Sequence, residues 1–181
     1  GFWRKLMLIS EEYRKQQQQL HKNPNYGVAS VYYAPYVTDL INKFEVSDLL
    51  DYGAGKGRLS ESIRPSRKVD ICQYDPGVEE LSESPSPSEM VACIDVLEHI
   101  EPDLIDNVLD DLKRVTLRVG FFTIHTGPAV KTLPDGRNAH LIQEDLRWWL
   151  PKIWDRFEII CMQRSENGFF VVVSRREQTW Q

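Results

Sequence analysis

The sequence of 181 residues has little of what marks a secreted, membrane-bound or nucleic-acid-coating protein. It holds three cysteines, Cys72, Cys93 and Cys161, an odd number too small for a disulfide framework. Each falls in an apolar, strand-like run, so all three are expected to be buried free thiols in a reducing, cytoplasmic compartment. Long apolar runs are absent. Gly1 to Ile9 is too short for a leader or a membrane span and carries Arg4 and Lys5, so no membrane association is expected. Positive charge is in deficit, with 22 Lys and Arg against 27 Asp and Glu and a net charge of −5. That balance argues against a broad basic nucleic-acid surface and leaves room for a local basic patch. There is no internal repeat and no linker long enough to divide the chain. A single domain is expected over 1–181, with N-terminal helices in 1–45 and the core in 46–175, acting as a monomer or weak dimer.

What the chain does have is a glycine loop. Residues 48–60 read D-L-L-D-Y-G-A-G-K-G-R-L-S. An apolar strand breaks into three alternate glycines, and a helix-compatible run, Arg58 to Ile63, follows. A strand turning sharply into a helix presents free backbone N–H groups at the helix start, and glycines let the backbone approach a ligand. The spacing is G-x-G-x-G, with Asp51 two positions before Gly53. The dinucleotide fingerprint sets its third glycine one place later, and the phosphate-binding loop ends in G-K-[ST], whereas Gly57 is followed by Arg58.

Two further runs keep step with this loop. Val69 to Pro76 is a strand-like segment ending in Tyr74-Asp75-Pro76, and a carboxylate at the end of a second strand can accept hydrogen bonds from both hydroxyls of a ribose. Met90 to Ile100 is an apolar strand running into D-V-L-E-H-I. The three runs, in this order and spacing, resemble motif I, the second-strand acid and the fourth-strand motif of the class I S-adenosylmethionine (SAM)-dependent methyltransferases. The resemblance covers most of Ser47 to Arg175. It implies SAM as cofactor and S-adenosylhomocysteine (SAH) as product. It places the cofactor against Tyr26, Asp51, Tyr52, Gly53, Ala54, Gly55, Gly57, Tyr74, Asp75, Pro76, Asp95, Val96 and Leu97. In that family the N-terminal helices cover the cofactor and acceptor pocket, and Tyr26, Tyr32, Tyr33 and Tyr36 are candidates for its lining.

The remaining chain fits such a core. Phe2 to Lys22 is helix-forming, Asn23 to Gly27 is a breaker, and a second helix carries Tyr32, Tyr36, Leu40 and Ile41. Residues 80–89 are short and rich in Pro and Ser, so the third-strand region is shortened, with Glu80 to Ser82 its strand candidate. Pro102 to Val115 is an amphipathic helix with Leu104, Ile105, Val108, Leu109, Leu112 and Val115 inward, and Val119 to Ile124 is a buried strand. Glu144 to Trp154 is a helix, and Phe157 to Gln163 pairs with Phe169 to Ser174 across Asn167-Gly168. The expected fold is α/β and Rossmann-like: a mostly parallel sheet with one antiparallel strand and helices on both faces, its ligand site at the carboxyl ends of the strands.

The chemistry implied is SN2 transfer of a methyl group to an O or N acceptor on a small molecule or an exposed end group. Asp95, His99 and His140 are the catalytic candidates, with His125 ranked below His140. N-P-P-[YF] and a Pro-Cys nucleophile are both absent, and little sequence is left for target recognition, so a small-molecule acceptor is favoured over nucleic acid. Leu133 to His140, with Arg137 and Asn138, is expected to flank the acceptor. Asp95, Glu98 and His99 also follow acid-x-x-Glu-His, and with His140 they resemble the metal cluster of small-RNA 2′-O-methyltransferases. That resemblance implies Mg²⁺ or Mn²⁺ and an RNA 2′-hydroxyl as the alternative acceptor. Asp at the first place has a shorter reach than the family's Glu, and the same motif also occurs with no metal, merely fixing the loop over the cofactor. A non-catalytic SAM-binding partner protein is the competing class, which the intact glycines and acids disfavour.

Overall fold

The computed structural model describes residues 7–20 and 28–176. Its centre is a six-stranded sheet in the order β2-β1-β3-β4-β6-β5. The strands are β1 (Asp48–Tyr52), β2 (Asp70–Tyr74), β3 (Ser88–Ile94), β4 (Thr116–His125), β5 (Phe157–Arg164) and β6 (Gly168–Arg175). Pairings among β2, β1, β3 and β4 are parallel. Strand β6 runs antiparallel to both β4 and β5, so one strand is reversed in an otherwise parallel sheet. This is the Rossmann-like methyltransferase topology expected from the strand–helix alternation.

Side-chain alternation explains why both faces are covered. Leu49, Met90, Ala92, Phe121, Phe170 and Val172 point to one side. There they pack against Tyr33, Ala34, Val37 and Ile41 of helix α2 (Ala29–Phe44) and Leu59 of α3 (Arg58–Ser62). Leu50, Val91, Cys93, Phe122, Phe169 and Val171 point to the other side. They meet helix α4 (Ile105–Val115) and helix α5 (Leu146–Trp154). Central strands buried on both faces read as continuous apolar runs because a period of two supplies each layer in turn. On α4, Ile105, Val108, Leu109, Leu112 and Val115 are buried, as the periodicity predicts. Helix α5 starts at Asp145, whose carboxylate accepts from the Arg147 N–H at 2.9 Å, and Trp149 is its buried anchor. Among the described residues no helix is long and apolar enough to cross a membrane.

Three expectations are corrected. Glu79–Leu81 is a turn of 3₁₀ helix, so the strand candidate at Glu80 to Ser82 is absent; the prolines at 85 and 87 leave no run that can pair. Among the cysteines only Cys93 is buried. Cys72 and Cys161 lie on β2 and β5, the two edges of the sheet, with their side chains exposed. Met7 to Ser10 is not helical, so α1 begins at Glu11 and spans Glu11–Leu20, while Phe2 to Leu6, His21 and Lys22 of the expected helix lie outside the described residues.

Candidate active site

A cleft of about 370 Å³ opens at the carboxyl ends of β1 to β4, within the usual range for small-molecule sites. It is floored by Tyr52 to Lys56, Tyr74 to Gly77 and Ile94 to Val96. Its walls come from α1 (Tyr13, Gln17), the start of α2 (Val28, Ala29, Ser30), and the segments that carry His99, His125, Pro128 to Lys131, Ala139 and His140.

The glycine loop is tied to the end of β2. The N–H groups of Gly53 and Ala54 both donate to the Tyr74 carbonyl, at 2.7 and 3.0 Å. Gly57 donates to the Ala54 carbonyl at 2.9 Å, closing the turn before α3. Gly53 sits at φ +89°, and a Cβ there would lie 2.3 Å from a Val96 methyl. Only glycine meets both conditions, so the close approach of β1 to β3 across the cleft floor requires it. Asp75 closes the other side: its two oxygens accept from the Gly55 and Gly77 N–H groups at 2.9 and 2.8 Å.

Asp51 is the unusual member. It is 2% exposed, and its Oδ2 is buried with no hydrogen-bond partner among the described residues. Burial, reinforced by the Asp75 charge, pushes its carboxyl up to about 7. Asp51 does not itself line the cleft; it lies directly behind the lining residues Tyr52 and Gly53, and a buried acid with an unpartnered oxygen there is what a cationic group would complete.

The end of β3 builds the second half of the site. Asp95 is held at φ +51°, a left-handed conformation that costs a non-glycine residue roughly 1–3 kcal/mol. The strained turn sends its carboxylate back to β4, where it accepts from the Thr123 hydroxyl at 2.6 Å. Burial raises the Asp95 carboxyl above its ordinary range, against the lowering effect of that bond and of His125 and His140. Glu98 follows on a 3₁₀ turn and is fully buried. One of its oxygens accepts from the His125 N–H at 3.2 Å, and the other has no partner among the described residues. Burial, with the Asp95 charge next, lifts its carboxyl well above the ordinary range.

Two imidazoles stand beside the Glu98 carboxylate. His99 Nδ1 lies 2.9 Å from the Ala139 carbonyl, and His140 Nδ1 lies 2.7 Å from the Gly127 carbonyl. A carbonyl only accepts, so each Nδ1 carries the proton, and the lone pair of the neutral ring falls on Nε2. Burial holds the His140 ring below its ordinary pKa, with the nearby His125 adding to the effect and the Gly127 bond opposing it. Ligand atoms of Glu98, His99 and His140 lie within 4.8 Å of one another. One carboxylate and two imidazoles this near one another are a donor set that could hold a divalent cation such as Mg²⁺ or Mn²⁺. Asp95 is not in this group: its bond to Thr123 turns it away, and the acid-x-x-Glu-His expectation reduces to three ligands.

The structure redistributes other candidates. Tyr52 and Tyr74 line the cleft floor edge to face, ring centroids 4.9 Å apart, with the Tyr52 hydroxyl spent on Asp111 at 2.7 Å. Leu97 is fully buried in the core and does not line the cleft. Tyr26 lies outside the described residues. Tyr33 and Tyr36 pack on Phe121 and Phe170, and Tyr32 is exposed, so the α2 tyrosines do not line the cleft. Arg137 is paired with Asp135 on the outer surface at 2.7 Å. Asn138 is a brace: its Oδ1 accepts from the Ala129 and His140 N–H groups, and its amide donates to the Ala129 carbonyl, each at 2.9 Å. The sequence reading missed Tyr13 and Gln17. Tyr13 is the buried aromatic residue of the otherwise polar α1, and its hydroxyl donates to the His99 carbonyl while accepting from Gln17 at 2.6 Å. Only the packing of α1 over the cleft reveals that role.

No family model and no curated protein matches the chain. Solved structures do. The chain is similar to Burkholderia thailandensis 1,6-didemethyltoxoflavin-N1-methyltransferase with SAH bound, at 14% identity and TM-score 0.62, covering 97% of this chain and 94% of that one. It is similar to the small RNA methyltransferase HEN1 at 11% identity and TM-score 0.62, all of this chain aligning with 28% of that one. NodS, an N-methyltransferase of Bradyrhizobium japonicum crystallised with SAH, aligns at 11% identity and TM-score 0.56 over 91% of this chain and 100% of that one. A Nostoc punctiforme protein named as a candidate O-methyltransferase aligns at 13% identity and TM-score 0.59, and the chain spans 60% of its length. The strand order, the glycine turn at the end of β1 and these alignments together give the chain the Rossmann-like fold of the SAM-dependent methyltransferases.

Proposed function

We propose that the protein binds SAM in this cleft and transfers its methyl group to a hydroxyl or amine of an acceptor bound beside His99 and His140. The observation that carries the reading is Asp51, a buried carboxylate with a vacant oxygen at the foot of a loop only glycine can make. In this reading Asp51 pairs with the amino group of SAM, the loop from Gly53 to Gly57 lies against its methionine part, and Asp75 accepts from the ribose hydroxyls. When bound, SAM supplies a methyl group on a sulfonium, so no acid is needed to activate the leaving group. The protein has to align the acceptor, exclude water and receive a proton. Tyr13 and Gln17 of α1 cover the cleft and keep water out. His140, held neutral by burial and braced by Asn138, presents Nε2 as the proton acceptor.

Calorimetric titration with SAM, SAH and NAD tests the reading. SAH should bind and NAD should not. Asp75→Ala should weaken SAH by on the order of 1–3 kcal/mol, or about five- to 150-fold. No SAH binding, or equal affinity in that variant, refutes the cofactor assignment. A screen with labelled SAM against phenols, sugars, amines and RNA then identifies the acceptor.

A second reading, metal-assisted transfer to a hydroxyl, is favoured by the Glu98, His99 and His140 cluster. The free Glu98 oxygen and two imidazoles fixed by backbone carbonyls form a donor set suited to Mg²⁺ or Mn²⁺. A cation there would hold acceptor hydroxyls and favour their alkoxide. Its test is Mn²⁺ binding followed by paramagnetic resonance in the wild type and in Glu98→Gln. Equal Mn²⁺ binding in the two, or none in either, ends the metal reading.

A further inference from the structure

We propose that His125 decides which acceptor the cleft takes: its Nε2–H donates to an oxygen beside the atom that is methylated, so the acceptor carries an N–H or O–H next to a carbonyl. This rests on the SAM reading above and names its acceptor class. His125 ends β4 and lines the cleft, and it takes no part in the proton transfer assigned to His140. Gly127 donates its N–H to His125 Nδ1 at 3.1 Å, and its carbonyl accepts from His140 Nδ1 at 2.7 Å. An N–H only donates, so His125 Nδ1 holds the lone pair and the ring proton falls on Nε2. His140 has the opposite tautomer. One residue thus sets two neighbouring imidazoles, centroids 4.7 Å apart, in opposite senses: His140 presents a lone pair and His125 a donor. Beyond the Gly127 contact at Nδ1 and the backbone bond to Glu98, His125 makes no hydrogen bond among the described residues, so Nε2–H is left for a ligand.

A donor in a cleft is costly to cover with an apolar group and favourable to cover with an oxygen. A lone hydroxyl or amine satisfies His140 and leaves His125 unpaired. An N–H or O–H beside a carbonyl satisfies both, the proton facing His140 and the carbonyl oxygen facing His125. The arrangement also serves the reaction. As the proton passes to His140 Nε2, negative charge spreads onto the conjugated carbonyl oxygen, where His125 donates. The electron pair left on the nitrogen or hydroxyl oxygen attacks the methyl carbon, the carbon–sulfur bond breaks, and SAH leaves. Cyclic amides and enolised ketones share this chemistry.

The test uses SAH-saturated protein with a chelator present throughout. Its probes are 2-pyridone (N–H beside a carbonyl), maltol (O–H beside a carbonyl), phenol (hydroxyl alone) and N-methyl-2-pyridone (carbonyl alone). In long-range proton–nitrogen NMR spectra, His125 should show the Nε2–H tautomer and His140 the Nδ1–H tautomer. By calorimetry, 2-pyridone or maltol should bind about tenfold more tightly than phenol and N-methyl-2-pyridone, the loss of one hydrogen bond to a cleft donor. Binding by 2-pyridone alone assigns the class to cyclic amides, and binding by maltol alone assigns it to enols. His125→Asn keeps an oxygen to accept from Gly127 and removes the Nε2 donor. It should abolish the preference while SAH affinity and the His140 tautomer hold. His125→Gln, whose amide reaches the Nε2 position, should recover part of it. A proton on His125 Nδ1, binding by neither 2-pyridone nor maltol, phenol bound as tightly as they are, or an unchanged preference in His125→Asn overturns the proposal. So does a parallel loss of SAH, which would place His125 in the cofactor site. Absence of SAH binding in the wild type would instead remove the SAM reading itself.

Discussion

Asp51→Asn is the perturbation that bears most directly on the site, because the structure makes Asp51 costly to the empty protein and useful to the loaded one. Its carboxyl is raised from 3.8 to about 7 by burial and by Asp75. An acid raised in the folded state gives stability that is fully present below 3.8 and is lost as pH climbs through 7. Between pH 5 and pH 8 the wild type should lose about 3 kcal/mol through this one group, at about 1.4 kcal/mol per unit of pH while only the unfolded chain is ionised. Asn cannot ionise and lacks that slope. Burying its amide has a cost of its own, roughly 1–3 kcal/mol, but the cost is the same at every pH. The difference between variant and wild type should therefore shift in favour of the variant by about 3 kcal/mol from pH 5 to pH 8, or about 6–12 °C in melting temperature for a domain of this size. Denaturant melts of both proteins without ligand at the two pH values measure it. The same variant should lose SAH affinity by about 30-fold or more, since a charged partner for the ligand ammonium is removed. A pH-independent difference in stability would show that Asp51 is ionised and satisfied in the unliganded protein, and the case for a cationic ligand at its Oδ2 would fall.

The same proton should appear in binding. With a carboxyl near 7, about 9% of empty protein has Asp51 charged at pH 6 and about 76% at pH 7.5, so SAH should bind roughly eightfold more weakly at the lower pH, a dependence that Asp51→Asn abolishes. Gly53→Ala should destabilise the fold by about 2 kcal/mol or more and remove SAH binding, as the new methyl meets Val96 at a positive φ. Adding Val96→Ala should recover part of the stability, and a double variant no better than the single one would count against the close contact. Asn138→Ala should lower turnover about tenfold through a loosened His140 while SAH affinity holds, since Asn138 braces the loop and does not line the cleft. An equal fall in both would place the loop in the cofactor site.

The chain alone determined its layers and its glycine turn. Alternation in Leu49-Leu50, Met90 to Cys93 and Phe121-Phe122 is a local periodicity, and it dictates a sheet buried on both sides whatever the loops do. The glycine spacing after Asp51 and the acid at Asp75 were legible for the same reason: a tight turn and a strand-end carboxylate are requirements on neighbouring residues. Tertiary structure alone decided the rest. Asp95 looked like a ligand from its place in acid-x-x-Glu-His, and a left-handed φ together with Thr123, 28 residues away, turned it aside. The tautomers of His99 and His140 depend on the carbonyls of Ala139 and Gly127, contacts set by how the loop after β4 folds back. Arg137 and Asn138, adjacent in sequence, divide into a surface ion pair and a half-buried brace. Lys56, Arg58 and Lys131 share a cleft only because β1 and β4 end on the same side of a parallel sheet. Spacing along the chain constrains partners within a turn or a strand; which distant groups meet, and in which protonation state, is fixed by the packing that brings strand ends together.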